Sequence, residues 1–467
     1  MSRPLSRLLL ALTLALPAGA QDLAARVLEH LRSPRFQASQ WGVHAVSLDS
    51  GKVLVDEGAG KFLVPASNAK LFTCALALRR LGPDRTIRTS VLAAARPGAD
   101  GLLKGDLVFY GRGDPMLMAR WRGAPGRPDA LEDLAAQVAA AGVRVVEGDL
   151  VGDDRYFQTG PCGSGWEVED RAFAYGADVS ALTIHDNMAD LRVYPGSGPG
   201  APCLLYPVPG LGLLPLRNLT ATGQGPGLRA LWRGETLEVT GGLPLEGPPA
   251  ALAVPVRNPA RFAAGLLRRA LERHGVAVRG ATRVATARDP GAPVELAWVA
   301  SPPVRELVRA TLKDSVNLYA QLLLLQVGRS EKAGLAELVA FLAEAGIPQG
   351  VVLEEGSGLS RKDLVKPEAV TALLAYMSRQ PEAAAFEAAL PVAGLDGTLR
   401  NRLTGPATLA NVRAKTGTLR YNHALAGYLT TAAGDHLAFS IILNNHVAPG
   451  AADDVDAVAT LLAAGDE

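Results

Sequence analysis

The chain has 467 residues, of which 48% are hydrophobic and 20% are charged. This composition is typical of a globular protein with a large core and more than one folding unit. The formal net charge is only +1, so there is no basic excess to neutralise phosphates, and nucleic acid is not an expected partner.

The N-terminus has the pattern of a secretory signal peptide over residues 1–20. Two arginines precede an apolar run from Leu8 to Leu16, and a proline and three small residues follow it. The run is too short for a permanent anchor, and no later segment reaches about 18 uninterrupted apolar residues. We therefore expect an exported mature chain without an integral membrane segment, in the periplasm or the cell-wall space.

Three cysteines are few for a secreted chain, so disulfides are not expected to be its main source of stability. Cys74 follows the start of a predicted helix and is interpreted as a small buried apolar residue. Cys162 and Cys203 have two possible states, a disulfide in an oxidising compartment or two free thiols.

The N-terminal part of the mature chain reads as helix, hairpin, helix. Apolar spacing predicts a helix over 22–36, alternation predicts paired strands over 42–48 and 52–56, and a central helix covers about 68–81. Gly82 and Pro83 end that helix.

The middle of the chain has a different texture, with short β-like runs separated by glycine and proline turns. The predicted elements there are strands over 105–110 and 145–151, a helix over 129–141, twisted strands and loops over 195–250, a helix over 259–274 and strands near 277–287.

Helices return in the last third, at 304–327, 332–345, 367–378, 382–390 and 451–464, and two strands lie at 424–431 and 437–443. The two ends of the chain thus share one texture and the middle has another, as expected for an insertion into a single domain. The N-terminal hairpin is expected to join the two C-terminal strands in one antiparallel sheet with helices on its faces, an α/β fold of the α+β kind.

Ser67 and Lys70 lie three residues apart in the run VPASNAKLFT, so they share one face of the central helix. A serine hydroxyl becomes a nucleophile when a base takes its proton, and a lysine one turn away can act as that base if its charge is suppressed. The alternative is that Ser67 is the N-cap of a solvated helix end.

Two further motifs carry polar groups suited to a substrate. Ser315 and Asn317 offer a hydroxyl and an amide in LKDSVNLYAQ, and Lys415-Thr416-Gly417-Thr418 lies just before the predicted strand 424–431. Gly417 would let a ligand's backbone approach closely, and Lys415 supplies a positive charge. Taken singly, these motifs also read as helix-surface polarity and as a strand end with a loop glycine.

The order Ser-x-x-Lys, Ser-x-Asn, Lys-Thr-Gly resembles the set shared by penicillin-interacting serine enzymes. About 250 residues separate Ser67 from Ser315, which leaves room for a large domain that a simple serine β-lactamase lacks. The chain therefore resembles the class C low-molecular-mass penicillin-binding proteins, the D-alanyl-D-alanine carboxypeptidase/endopeptidase family. Other strings similar to that family are Gly113-Asp114-Pro115, Gly152-Asp153-Asp154, Gly165-Trp166, Val179-Ser180-Ala181-Leu182, Gly356-Ser357-Gly358-Leu359-Ser360-Arg361 and LPVAGLDGTLRNR.

The resemblance implies a penicillin-binding-protein/β-lactamase-like transpeptidase domain with nested, inserted, mainly-β domains. We assign the catalytic domain to residues 21–85 and 297–467. Residues 86–296 are the inserted region, a second domain with a third nested in it at roughly 117–191.

The function implied is that of a serine-type D-Ala-D-Ala carboxypeptidase and DD-endopeptidase, a hydrolase that acts on peptidoglycan stem peptides and is inhibited by covalent β-lactam binding. Ser67 would form the acyl-enzyme, and Lys70 would be the base, its pKa lowered by burial and by Lys415. Ser315 would relay the proton to the leaving amine, and Asn317 would hold Lys70 or the substrate amide.

The same resemblance implies the groups that bind the substrate. Lys415 with the hydroxyl of Thr416 or Thr418 would bind the terminal carboxylate. The backbone N–H groups of Ser67 and Thr418 would form the oxyanion hole.

A side-chain subsite is also implied, bordered by Leu359 and Arg361. Glu169 or Asp170, after Trp166, would receive the free amine of the third residue of the peptide. Family members often carry further aromatic residues after that tryptophan, where this chain has Val168 and Ala174, and Trp166 also reads as a core aromatic of the insert.

No cofactor or metal is expected, because the histidines show no metal-ligand spacing, and no Gly-x-Ser-x-Gly surrounds Ser67. Two other functions remain open at this stage, a β-lactamase or esterase of the same chemistry and a non-catalytic cell-wall-binding protein. The oligomeric state is also open.

Overall fold

The structure is a computed structural model that describes residues 22–117, 130–208, 212–223, 227–347 and 349–465. The expected signal peptide lies outside these residues. Within them, no helix has both the length and the apolar character needed to cross a membrane.

The helices of the described residues are of two kinds. The α-helices are α1 (Leu23–Leu31), α2 (Ala69–Leu81), α3 (Ala130–Ala140), α4 (Pro259–Arg273), α5 (Val304–Lys313), α6 (Asn317–Gly328), α7 (Glu331–Glu344), α8 (Pro367–Met377), α9 (Ala383–Ala388) and α10 (Ala451–Ala464). The short 3-10 helices are Pro34–Phe36, Ala66–Asn68, Val168–Ala172, Ala174–Gly176, His185–Asn187 and Gly397–Leu399.

The strands near the two ends of the chain form one sheet, and most of the others lie in the middle of the chain. They are β1 (Gln40–Ser47), β2 (Val53–Glu57), β3 (Arg88–Ala93), β4 (Leu102–Leu103), β5 (Leu107–Tyr110), β6 (Val145–Val146), β7 (Leu150–Asp153), β8 (Met188–Tyr194), β9 (Leu204–Val208), β10 (Leu216–Thr220), β11 (Arg229–Arg233), β12 (Thr236–Gly241), β13 (Ala250–Pro255), β14 (Ala277–Val278), β15 (Thr282–Val284), β16 (Val294–Ala300), β17 (Val351–Val352), β18 (Leu364–Val365), β19 (Arg413–Leu419), β20 (Asn422–Thr430) and β21 (His436–Asn444).

The central sheet joins the two ends of the chain in the order β19-β20-β21-β1-β2, with every pair antiparallel. The prediction that the N-terminal hairpin joins the C-terminal strands is therefore confirmed. Strand β1 pairs with β21 over its whole length, so residues at the two ends of the sequence share one ladder.

Helices cover both faces of this sheet because successive side chains of a strand point to opposite sides. On β21, Phe439 and Ile441 face the apolar cluster that contains α1 and α10. Ala438 and Ile442 face the larger cluster that contains α2, α5, α6 and α8. The result is a helix–sheet–helix sandwich, the antiparallel sheet flanked by helices that the sequence predicts.

The middle of the chain forms its own five-stranded sheet, in the order β15-β7-β5-β3-β16, and smaller sheets. Helices α3 and α4 supply the apolar cluster of this part. The run 145–151, predicted as one strand, is divided into β6 and β7. The division lies at Gly148, where a Cβ would collide with the backbone of Gly105. The strand-rich middle agrees with inserted β structure, while the assigned domain limits stay a prediction.

The helix predicted over 304–327 is wrong as a single element. The chain leaves α5 after Lys313 and starts α6 at Asn317, and between them Ser315 adopts a left-handed conformation with φ of +58°. Apolar spacing continues across this break, so the sequence pattern alone does not reveal it.

All three cysteines lie within the described residues and are free, with Cys74 and Cys203 buried. Of the two states left open for Cys162 and Cys203, the structure therefore has the free thiols. Packing and hydrogen bonding stabilise this part of the chain without a cross-link.

Candidate active site

Ser67 lies in the 3-10 helix Ala66–Asn68, directly before α2. The short helix turns the chain into α2, so that Ser67 and Lys70 are one turn apart on the same side. Ser67 is partly exposed, whereas Lys70 is fully buried. The N-cap alternative does not describe Ser67, because Asn68 is the cap residue of α2.

The ammonium nitrogen of Lys70 makes three hydrogen bonds in this buried position. It donates to Ser67 Oγ at 2.8 Å, to Asn317 Oδ1 at 2.6 Å and to the carbonyl oxygen of Ser357 at 2.7 Å. Lys70 thus joins α2, α6 and the loop between β17 and β18 at one point next to the Ser67 hydroxyl.

Burial lowers the pKa of Lys70 to about 8, and the carboxylate of Glu355 opposes this shift. A lysine in this range is part neutral near neutral pH, as a general base must be. Of the two causes expected, burial is the main one, and the repulsion between Lys70 and Lys415 is seen in the lowered pKa of Lys415.

Ser315 and Asn317 owe their positions to the break between α5 and α6. The left-handed turn at Ser315 directs its Oγ to Lys415, whose Nζ donates to it at 2.8 Å. Asn317, the first residue of α6, accepts from Lys70 through its side-chain oxygen and donates its amide to the carbonyl oxygen of Tyr175 at 2.9 Å. Of the two roles expected for Asn317, the structure therefore shows the one that holds Lys70.

Lys415 lies inside the edge strand β19, which was not predicted, and its motif precedes the predicted strand 424–431, here β20, as expected. It is fully buried and also donates to the carbonyl oxygen of Thr416 at 2.7 Å. Burial and the neighbouring Lys70 hold the pKa of Lys415 well below its usual 10.5. The two lysines therefore share one buried region and repel each other when both are charged.

The three residues after Lys415 behave differently from one another. The Thr416 hydroxyl donates to the hydroxyl of Thr398 at 2.7 Å, and Thr418 is exposed. A Cβ at Gly417 would lie 2.6 Å from the carbonyl oxygen of Pro65. The glycine thus admits the chain's own backbone two residues before Ser67, and the approach of a ligand's backbone at this position stays a prediction.

Leu359 and Arg361 belong to the loop that follows β17. Leu359 is buried, with its N–H donated to the Glu355 carboxylate at 2.9 Å. Arg361 is exposed, and it pairs with Glu167 at 3.1 Å and donates to the carbonyl oxygen of Arg420 at 3.2 Å. Sequence reasoning missed Glu355 and Glu167, because acidic residues in glycine-rich or polar segments are normally interpreted as solvated.

The acidic residues after Trp166 lie in and beside the 3-10 helix Val168–Ala172. Asp170 is mostly buried and accepts the N–H of Glu167 at 3.0 Å, so it caps this helix, and burial raises its pKa. Glu169 is exposed. Trp166 packs against the apolar cluster of α2 and α6, so it links the insert to the helices of the site.

An aromatic pair next to this helix was also missed. The rings of Phe173 and Tyr175 stack with centroids 5.3 Å apart and planes inclined by 9°, and about half of each side chain is exposed. Because the Tyr175 carbonyl accepts from Asn317, this exposed pair borders the group of catalytic candidates.

The sequence model of the D-Ala-D-Ala carboxypeptidase 3 (S13) family matches residues 23–464. The chain belongs to this family. Similar proteins include the D-alanyl-D-alanine carboxypeptidase of Actinomadura sp., 36% identical over 462 residues, which cover 93% of this chain and 83% of the relative. The D-alanyl-D-alanine carboxypeptidase DacB of Haemophilus influenzae is 27% identical over 463 residues, covering 95% and 93%.

Solved structures agree with this S13 assignment. Penicillin binding protein 4 of Haemophilus influenzae superposes with a TM-score of 0.80 at 26% identity, covering 92% of this chain and 97% of that one. Its complex with a β-lactam superposes with a TM-score of 0.73 at 25% identity, covering 94% and 97%. The fold is therefore that of the penicillin-binding proteins, and the chain is a serine-type D-Ala-D-Ala carboxypeptidase.

Proposed function

We propose that this carboxypeptidase cleaves the terminal D-alanine from peptidoglycan stem peptides through an acyl-enzyme on Ser67, and that it also hydrolyses D-alanyl cross-links as a DD-endopeptidase. The observation that carries the proposal is the hydrogen bond of 2.8 Å between Lys70 Nζ and Ser67 Oγ, in a site where burial brings the pKa of Lys70 to about 8. A nucleophile and a base in contact are what acyl transfer requires.

In the acylation step, Lys70 takes the proton of Ser67 while Oγ attacks the carbonyl carbon of the penultimate D-alanine. The C–N bond to the terminal D-alanine then breaks, and Ser315 relays the proton from Lys70 to the leaving amine, so that Lys70 is neutral again and Ser315 keeps its hydroxyl. Asn317 keeps Lys70 aligned through the bond of 2.6 Å. Backbone N–H groups of Ser67 and Thr418 stabilise the oxyanion. Water hydrolyses the ester in a second step that uses Lys70 again as base.

Lys415 binds the terminal carboxylate of the substrate in this scheme, with Thr418 exposed beside it. Because burial and Lys70 hold the pKa of Lys415 well below 10.5 in the free enzyme, an arriving carboxylate favours its charged form. Thr416 contributes through position, since its hydroxyl already bonds to Thr398.

The subsite for the peptide's third residue comprises Leu359, Arg361, Trp166 and the exposed Glu169 in this proposal. Glu169 is the better of the two acidic candidates for a free amine, because Asp170 is engaged in capping its own 3-10 helix. We also propose that residues 1–20 direct export and that β-lactams acylate Ser67, as the complex of the Haemophilus influenzae relative with a β-lactam suggests.

The test is a release assay on the mature protein with a diacetyl-L-Lys-D-Ala-D-Ala peptide and a cross-linked muropeptide dimer, each with and without penicillin. We expect penicillin-sensitive release of D-alanine and cleavage of the dimer, and we expect Ser67→Ala to abolish both, together with β-lactam labelling. Labelling that persists in Ser67→Ala would refute the nucleophile. Rapid penicillin hydrolysis without peptide cleavage would indicate a β-lactamase, and absence of acylation would indicate a wall-binding protein.

A further inference from the structure

The loop between β17 and β18 contains a carboxylate that is completely buried. Glu355 is 0% exposed, and its side chain accepts the N–H groups of Ser357, Gly358 and Leu359 at 2.7, 2.5 and 2.9 Å. Successive backbone N–H groups that converge on one point form an anion-binding concavity. Here the anion is supplied by the loop itself, so the carboxylate fixes the loop's conformation.

This loop is wedged between the two helices that carry the catalytic candidates. The Thr73 hydroxyl, on α2, donates to the carbonyl oxygen of Gly356 at 2.7 Å, and the Gln321 side chain, on α6, accepts the Gly356 N–H at 2.8 Å. Gly358 has φ of +79°, and a Cβ there would overlap the carbonyl oxygen of Ala66, the residue before Ser67. The same loop reaches the base, because the Ser357 carbonyl accepts from Lys70 at 2.7 Å.

A second buried carboxyl group, Asp363, lies against Glu355. Its Oδ1 accepts the N–H of Glu354 at 2.7 Å, while its Oδ2 is buried and faces no N–H or O–H donor from the described parts of the chain. The Asp363 side chain lies beside the Glu355 carboxylate, and two carboxyl groups in contact can hydrogen-bond only if one of them keeps a proton. Because the Glu355 oxygens already accept backbone N–H groups, that proton belongs on Asp363 Oδ2. Burial and the Glu355 carboxylate accordingly raise the pKa of Asp363.

We propose that Glu355 and Asp363 are positioning residues for Lys70: protonated Asp363 donates to Glu355, and the Glu355 carboxylate both fixes the Ser357 carbonyl against Lys70 Nζ and places a buried negative charge near it. This inference rests on Lys70 being the base of the proposed function. It makes the proton affinity of Lys70 depend on two buried carboxyl groups.

The charges around Lys70 are consistent with this role. The Glu355 carboxylate favours the ammonium form of Lys70, and Lys415 opposes it. Cys74, whose pKa burial raises to about 12, and protonated Asp363 carry no charge near neutral pH. Glu354 adds negative charge near Asp363, and Glu331 accepts from Gln321 at 2.6 Å behind the loop. Among these groups, Glu355 contributes most to countering the effect of burial on Lys70. Without it, Lys70 would lose its proton at lower pH.

The test is the pH dependence of the rate constant for acylation of Ser67 by a fluorescent penicillin, measured on the mature enzyme. Wild-type acylation should rise with pH as Lys70 loses its proton, with an apparent pKa of about 8. In Glu355→Gln the rise should move to lower pH by about one unit, because an attractive charge is removed.

A pair of variants at Asp363 separates positioning from folding. Asp363→Asn keeps a neutral donor to Glu355, so we expect acylation within about twofold of wild type and an unchanged profile. Asp363→Ala removes the donor, and we expect acylation to slow by about tenfold. This comparison also stands if Glu355→Gln does not fold.

Either of two results would overturn the proposal: a folded Glu355→Gln with the wild-type profile, or Asp363→Asn as slow as Asp363→Ala. Both results leave Ser67 labelled in the wild type, so they count against the positioning role and not against the proposed function. Failure of the proposed function would be seen instead as labelling that survives Ser67→Ala.

Discussion

Gly417 shows how tightly a single backbone position constrains the nucleophile. Strand β19 passes so close to the 3-10 helix Ala66–Asn68 that a Cβ at 417 would lie 2.6 Å from the Pro65 carbonyl oxygen and 3.1 Å from Ala424 Cβ. The obstacle on one side is backbone and on the other side a neighbouring strand, and neither is the flexible end of a side chain. An added methyl group therefore has to push Ser67 away from β19.

We expect Gly417→Ala to lower the free energy of unfolding by about 1 to 3 kcal/mol, as overpacking usually does. Acylation by penicillin should slow at least about tenfold, because the nucleophile moves relative to Lys70 and Thr418. Urea unfolding and a labelling time course measure the two effects. Gly291→Ala is the matched control, since a Cβ there meets nothing within 4 Å. Wild-type labelling by Gly417→Ala would show that the strand adjusts without moving Ser67.

The sequence predicts which residues form the site better than it predicts how deeply they are buried and what they contact. Ser67, Lys70, Ser315, Asn317 and Lys415 are all predicted by motif, and the structure brings them together. The motifs carry no information on Glu355 or Asp363, because burial of a carboxylate depends on partners that are distant in the sequence.

At the scale of elements, the interruption between α5 and α6 does most to assemble the site. Lys313 ends α5 with its Nζ bonded to the Leu390 carbonyl at 2.6 Å, and Ser315 then turns left-handed so that α6 restarts at Asn317. Apolar periodicity indicates which face of a helix is buried. It does not reveal a few residues that leave the helix when the apolar spacing continues across them. The elements around the break were therefore predicted, and the break was not.

Helix α6 is also held by the inserted region. The buried Tyr319 hydroxyl donates to Asp186, which lies in a 3-10 helix whose residues His185, Asp186 and Asn187 all have positive φ. Burial and Asp186 raise the pKa of Tyr319 well above 10, so the hydroxyl stays a donor. Tyr319 lies two residues after Asn317, so this contact bears on the orientation of the catalytic amide.

We expect Tyr319→Phe to cost about 1 to 2 kcal/mol of unfolding free energy, because the partly buried Asp186 loses this donor. We also expect acylation to fall a few-fold through Asn317. Tyr428→Phe is the control: its hydroxyl donates to the Leu374 carbonyl at 2.8 Å in the sheet–helix layer. That variant should lose similar stability and keep its acylation rate. If the two variants acylate equally fast, the Tyr319 contact is structural only.

At the scale of the whole molecule, the arrangement of the main elements could be predicted from the spacing of apolar residues along the chain. The single sheet built from both ends and the strand-rich middle were both expected, since long helices and alternating strands leave strong patterns. The contribution of the middle region to the apolar cluster around α2 could not be predicted from the sequence. Met116, Phe157 and Val179 of the middle region pack in the same apolar cluster as Leu71 of α2. Such contacts between distant segments arise only when the folded layers meet.

Folding of the whole chain is coupled to pH through Asp363. In the unfolded chain this carboxyl ionises near its usual 3.8, whereas burial and Glu355 raise its pKa in the folded state. Folding therefore takes up a proton over the interval between the two values. The stability associated with Asp363 is fully present below the unfolded pKa and is lost as the pH rises towards the folded pKa.

Asp363→Asn should remove this dependence, since asparagine needs no proton to donate to Glu355. We expect the variant to be more stable than the wild type, with a difference in unfolding free energy that grows between about pH 5 and pH 8 by up to about 1.4 kcal/mol per pH unit. Its melting temperature should rise above that of the wild type in parallel. Thermal unfolding at several pH values measures the difference. Asp435→Asn, at an exposed turn between β20 and β21, should show no such trend. If the stability gained by Asp363→Asn stayed constant with pH, or if the variant lost more stability as the pH rose, Asp363 would be ionised in the folded protein. Glu355 would then be held by the loop amides alone.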